Sequence, residues 1–126
     1  MKLEHVAFQV AEPKAMAEWY CENLAMRIAH HVEDHCFFLV DSENDGMLEI
    51  YNNPAEPVPN YAERTAVEMH IAFWSDDVDA DFERMLAAGA TAILPPQQLT
   101  PTIKHTMIRD PWGTPLQLIR RAEKLY

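Results

Sequence analysis

The chain has 126 residues, 48% of them hydrophobic, which is enough for one domain with its own core. Ten Lys and Arg against twenty Asp and Glu give a formal charge of -10, which disfavours nucleic acid and anionic membrane surfaces and only mildly favours cationic ligands. Two cysteines cannot build a disulfide framework, the N-terminus lacks the apolar stretch of a signal peptide, and no run reaches transmembrane length. The expectation is a soluble, cytoplasmic protein.

Residues 3–10 alternate, with Val6, Phe8 and Val10 on one face and His5, Ala7 and Gln9 on the other, as in a strand. A helix follows from Pro13, with Met16, Trp19, Tyr20 and Leu24 as its apolar stripe. Strands are expected over 26–32, 36–42 and 47–52, the last two joined through Asn44-Asp45-Gly46. The segment from Asn52 to Thr65 carries Pro54, Pro57 and Pro59 and reads as a linker. Residues 68–74 alternate again, with His70, Ala72 and Trp74 sharing a face. A second helix is expected from Asp76 to Ala88, capped by Ser75 or Asp76, with Val78, Phe82, Met85 and Leu86 inside and Gly89 as its stop. Strands over 91–94, 105–109 and 115–120 complete the chain, with Asp110-Pro111-Trp112-Gly113 as a tight turn.

The halves match. Leu3-Glu4-His5-Val6-Ala7-Phe8 and Glu68-Met69-His70-Ile71-Ala72-Phe73 both set a His before a hydrophobic-Ala-Phe triplet. Leu48-Glu49-Ile50 and Leu116-Gln117-Leu118 each hold a polar residue between aliphatics, in the same order. A duplicated strand-helix-strands module follows: module 1 over about 1–53, a linker over about 54–66, and module 2 over about 67–121 of one domain. In each first strand the bulky apolar face must cover the helix, so the His faces away from it. The same reasoning turns Glu49 and Gln117 from their aliphatic neighbours. Two imidazoles, a carboxylate and an amide oxygen can ligate a divalent first-row metal.

These residues, with Ala87-Ala88-Gly89-Ala90 and Asp110-Pro111-Trp112-Gly113-Thr114-Pro115-Leu116-Gln117-Leu118, resemble the vicinal-oxygen-chelate superfamily of glyoxalase I, extradiol dioxygenases, methylmalonyl-CoA epimerase, and fosfomycin and bleomycin resistance proteins. The resemblance covers essentially the whole chain, and the Asp-Pro-x-Gly turn is its most specific part. It implies an α+β fold of two βαβββ modules forming a cupped mixed sheet with helices outside. It also implies metal ligands on the first and last strands of each module: His5, Glu49, His70 and Gln117. Gln117 departs from the Glu of most metal-dependent members, and is either a ligand or a packed polar residue.

The implied activity is that of a glyoxalase-like lyase or isomerase. A divalent Ni, Zn, Mn, Co or Fe would chelate adjacent substrate oxygens and stabilise an enediolate. Glu49, the single carboxylate at the four positions, would then be the catalytic proton carrier. Gln9 stands where glyoxalase I has an Arg, and Asn53 matches an Asn after the last strand of module 1. Trp74, which shares the His70 face, and His105, at the start of the penultimate strand, are further substrate-contact candidates. An Fe(II) extradiol-type dioxygenase is a lesser reading, because its carboxylate would fall at Gln117. A third is a bleomycin-resistance-type protein that sequesters cationic drugs without chemistry, which the charge and Trp74, Tyr51 and Trp112 suit. A homodimer is implied by the resemblance, with a small molecule as the partner.

The remaining candidates have plainer readings. His30, His31 and His35 cluster around a hairpin and read as surface histidines. Glu4 and Glu68 point to the helix side or to solvent. Cys21 sits in helix packing, and nothing beside Cys36 suggests an activated thiolate.

Overall fold

A computed structural model describes residues 1–125. The chain divides into two compact units, one ending at Pro59 and the other beginning at Asn60. Each is a βαβββ module with a four-stranded mixed sheet. No helix among the described residues is long and apolar enough to cross a membrane.

The first unit runs β1 (Val6–Gln9), α1 (Pro13–Asn23), β2 (Arg27–Val32), β3 (Cys36–Val40) and β4 (Met47–Tyr51). Its strand order is β1-β4-β3-β2, with β1 parallel to β4 and the other pairs antiparallel. Pro13 opens α1, where a fixed φ suits the first turn and the missing N–H is no loss. The helix buries Pro13, Met16, Ala17 and Tyr20, whereas Trp19 and Leu24 are only half-buried and stand at the rim of the expected stripe. Val6 is exposed while Phe8 and Val10 are buried, so the apolar face of β1 is covered only toward its end. β2 is exposed throughout. An edge strand carrying Arg27, His30 and His31 presents polar side chains beside its unpaired backbone.

The β3–β4 turn is organised by Asp41. Its Oδ1 accepts from the backbone N–H of Glu43 and of Asp45, each at 3.0 Å, and its Oδ2 from Gly46 at 2.9 Å.

The second unit begins with a 3-10 turn, Tyr61–Glu63, and continues as β5 (Ile71–Trp74), α2 (Val78–Ala87), β6 (Thr91–Thr100), β7 (Ile103–Arg109) and β8 (Pro115–Arg121). The order β5-β8-β7-β6 repeats that of the first sheet. The cap of α2 is Asp77, one or two residues later than expected, and it accepts from the Ala80 N–H at 3.1 Å. Ser75 is occupied elsewhere, its hydroxyl donating to Asp81 Oδ2 at 2.7 Å. At the other end Ala90 N–H reaches Met85 O and Gly89 N–H reaches Leu86 O, with Gly89 at φ +100°, a Schellman motif. β6 runs to Thr100 instead of stopping at 94. Pro95 and Pro96 look like breakers, but β6 is an edge strand, and its register with β7 shifts between Leu94 and Gln97 to pass them.

The expected linker is shared out between the units. Gln9, 8% exposed, donates from Nε2 to Glu56 O at 2.6 Å and Pro57 O at 3.2 Å, and its Oε1 accepts from Asn53 N–H at 3.0 Å. In the second unit Arg109 donates to Tyr61 O at 3.1 Å, Gly113 O at 2.9 Å and Arg64 O at 2.8 Å. Loops that would otherwise carry unmet carbonyls are thereby fastened to their own sheets.

Candidate functional site

The strand registers place the candidate residues. Side chains at paired positions share a sheet face. In the first unit one row is Gln9, Tyr51, Cys36 and Val32, and the next is Ala7, Glu49, Phe38 and His30. In the second unit the corresponding rows are Trp74, Ile119, His105 and Gln97, then Ala72, Gln117, Met107 and Leu94. The alternate residues of β8, Leu116 and Leu118, are buried, as are Thr106 and Ile108 of β7. Glu49 and Gln117 therefore take equivalent places, as the duplication predicts.

His5 and His70 each precede the strand by one residue instead of lying within it, because pairing starts at Val6 with Leu48 and at Ile71 with Leu116. His5 Nε2 is 3.1 Å from Glu49 Oε2, and its Nδ1 meets the Glu4 carboxylate. The ring packs edge-on against Phe38, which His30 also touches, each at 5.9 Å between centroids. The hydrogen bond His5 donates to Glu4, and then the charges of Glu4 and Glu49, raise the His5 pKa against a smaller opposing effect of burial. Glu4 is exposed to solvent, as expected, and is at the same time a partner of His5. Cys36 donates its S–H to Glu49 Oε1 at 3.4 Å, and burial beside that carboxylate pushes its thiol up to about 11.

His70 is exposed, and its Nδ1 lies 2.7 Å from Ala66 O. A turn fixes that carbonyl. Thr65 N–H donates to Glu68 Oε2 at 2.7 Å, and Glu68 N–H to Thr65 Oγ1 at 3.2 Å, which holds the Glu68 carboxyl below its usual pKa. The same reciprocal pattern caps helices; here it closes a lone turn. Gln117 is half-buried with its Nε2 3.0 Å from His105 Nδ1, and Gln97 Nε2 lies 3.3 Å from His105 Nε2. Trp74 is 50% exposed and donates from Nε1 to Asp76 Oδ1 at 3.1 Å. Asn53 turns its Oδ1 to Ala55 N–H at 3.0 Å, and Gln9 is committed to the 53–57 loop, so both are engaged with backbone. His31 and His35 are exposed, as expected.

Three participants were not apparent from the sequence: Gln97, Cys36 as a partner of Glu49, and Phe38 between two imidazoles. The signal for Cys36 lay in the duplication. Cys36 precedes Glu49 by 13 residues and His105 precedes Gln117 by 12, the same strand position apart from one extra turn residue.

Fit to a metal is a matter of donors. Catalytic first-row sites hold three protein ligands or more. Within the first unit His5 and Glu49 supply two, and among the described residues no group of three or more His, Cys, Asp and Glu is placed to hold a metal ion. In neither unit do the described side chains by themselves assemble three such donors.

With the fold and these contacts in hand, the chain is identified by its sequence family. The model of the Glyoxalase/Bleomycin resistance protein/Dioxygenase superfamily matches residues 2–118, and the chain belongs to that superfamily. No curated protein matches it. Among solved structures it is similar to a glyoxalase family protein from Bacillus cereus, with TM-score 0.81 and 14% identity over 98% of this chain and 95% of that one. It is also similar to TioX from Micromonospora sp. ML1, with TM-score 0.68 and 20% identity over 99% and 100%. A third is TnmS3, an antibiotic binding protein from Streptomyces sp. CB03234, with TM-score 0.65 and 22% identity over 96% and 98%. At these identities the likeness is one of fold, and the fold hosts both enzymes and binders.

Proposed function

We propose that the protein binds a small aromatic cation and sequesters it without chemistry, in the manner of the drug-binding branch of its superfamily. The observation that carries this reading is Gln117: where metal-dependent relatives would set a carboxylate, the chain has an amide engaged by His105 at 3.0 Å. The charge of -10 favours a cation, and the half-exposed Trp74 beside Asp76 offers a face on which a planar cation can stack. That TnmS3, with the same fold, is an antibiotic binding protein supports the class of ligand.

Quenching of tryptophan fluorescence by proflavine, a planar cation, tests this. Saturable binding should persist in excess chelator and weaken roughly fivefold in Trp74→Ala, the size of a stacked cation contact. Binding that vanishes with chelator would overturn it. A second reading, a metal-dependent lyase or isomerase with Glu49 as proton carrier, is favoured by the His5–Glu49 contact and by His70, whose Nδ1 on a backbone carbonyl is the orientation common in metal-ligating imidazoles. One equivalent of a transition metal in untagged protein, lost in His70→Ala, would install that reading instead. A single domain working as a homodimer accompanies either reading, and light scattering measures the assembly.

A further inference from the structure

His105 is 8% exposed and meets an amide at each ring nitrogen, Gln117 at Nδ1 and Gln97 at Nε2. A neutral imidazole has one N–H and one lone pair, so it can receive an N–H from one of these amides and must donate to the oxygen of the other. The Gln117 contact is the shorter, 3.0 Å against 3.3 Å. Gln117 is also half-buried, whereas Gln97 lies exposed on the edge strand and can turn its oxygen inward without disturbing packing.

We infer that Gln97, His105 and Gln117 form a directional relay in which Gln97 accepts from His105 Nε2–H, His105 Nδ1 accepts from Gln117, and Gln117 presents its carbonyl oxygen from the sheet face. His105 is then a positioning residue, and Gln117 a neutral acceptor that selects ligands bearing N–H donors. The first unit has the same layout: at the equivalent strand position Cys36 holds one oxygen of Glu49, leaving the other toward His5. The ligand side of this inference rests on the proposed binding function; the relay itself does not.

Two experiments separate the parts. Long-range proton–nitrogen correlation spectra of the ¹⁵N-labelled protein without ligand, at neutral pH, should show His105 as the Nε2–H tautomer, assigned by its loss in His105→Asn. Gln97→Met, a surface change, should shift the ring toward a tautomer mixture. An Nδ1–H ring, an imidazolium, or a ring indifferent to Gln97→Met would each overturn the relay. With dyes, the protein should prefer proflavine to acridine orange, which lacks the amino N–H groups, by about tenfold, the value of one good hydrogen bond. Gln117→Leu should erase that preference. Equal binding of the two dyes would overturn the selective role of Gln117 while leaving the binding function standing. If neither dye binds, the binding function and with it the ligand role fall, and the tautomer alone decides the relay.

Discussion

His5 and Glu49 meet at 3.1 Å, Nε2 to Oε2, with the Glu4 carboxylate on the other ring nitrogen. Two acceptors flanking one imidazole favour its protonated form. The His5 midpoint, followed by NMR, should lie above that of an ordinary histidine. Glu4→Gln should remove most of the shift and Glu49→Gln less of it, since the bond to Glu4 is the largest cause. Because the folded value is raised, the stability it contributes is complete below the unfolded-state pKa and is lost as pH rises through the folded one. The gap in urea midpoint between wild type and Glu4→Gln should therefore close over that rise. An unaltered His5 titration in Glu4→Gln would count against the contact.

Cys36 gives a kinetic prediction. Its thiol stands near 11 against an ordinary 9.0, from burial and from Glu49. The thiolate fraction at pH 8 falls with that rise, making alkylation by iodoacetamide roughly a hundredfold slower than for a free cysteine, before steric protection is counted. Glu49→Gln removes the neighbouring charge and should speed modification. A Cys36 that reacts as fast as a small-molecule thiol would show that neither burial nor Glu49 holds the thiol protonated.

Much of this was legible in the chain because period and duplication report on backbone geometry. The alternation around Glu49 and Gln117 placed both on the face opposite buried aliphatics, and the registers repeat it in both units. The strand starts were not legible, since whether His5 or His70 is paired depends on where the partner strand's ladder begins. Nor was the extent of β6, where two prolines end a central strand but not an edge. The least legible feature was the use of side chains by loops. Gln9 alternates like a cleft residue, yet its amide belongs to the backbone of 53–57, a contact set by chain folding 44 to 48 positions away.

The two modules organise their last hairpins around equivalent aspartates in different surroundings. Asp110, 3% exposed, accepts from Trp112 N–H at 3.0 Å and Thr114 N–H at 2.8 Å. Asp41 accepts from the N–H groups of Glu43, Asp45 and Gly46, but in contact with solvent. Water can replace an exposed acceptor and cannot reach a buried one. Asp110→Ala should therefore cost about 3 kcal/mol in denaturant unfolding and Asp41→Ala about 1. The reverse order would mean that the turn, not its burial, sets the cost.

Two glycines with similar backbones separate conformational strain from close approach. Gly89 has φ +100° and Gly113 φ +91°, both in the region where a side chain is disfavoured. A Cβ on Gly89 would meet only Pro111 Cγ at 3.7 Å, ordinary contact. On Gly113 it would stand 2.7 Å from Ala62 Cβ, 2.8 Å from Ala62 N and 2.9 Å from Ala62 Cα, so the 3-10 turn would have to lift. That turn is the segment Arg109 fastens through Tyr61 O, which makes lifting costly. Gly89→Ala should lose about 1 to 2 kcal/mol, the left-handed penalty alone. Gly113→Ala should lose more than about 3 kcal/mol and speed proteolysis within 60–66. Ala62→Gly in the Gly113→Ala background should recover part of the loss by removing the clashing Cβ, leaving the backbone approach. Equal losses at the two glycines would locate the whole effect in φ.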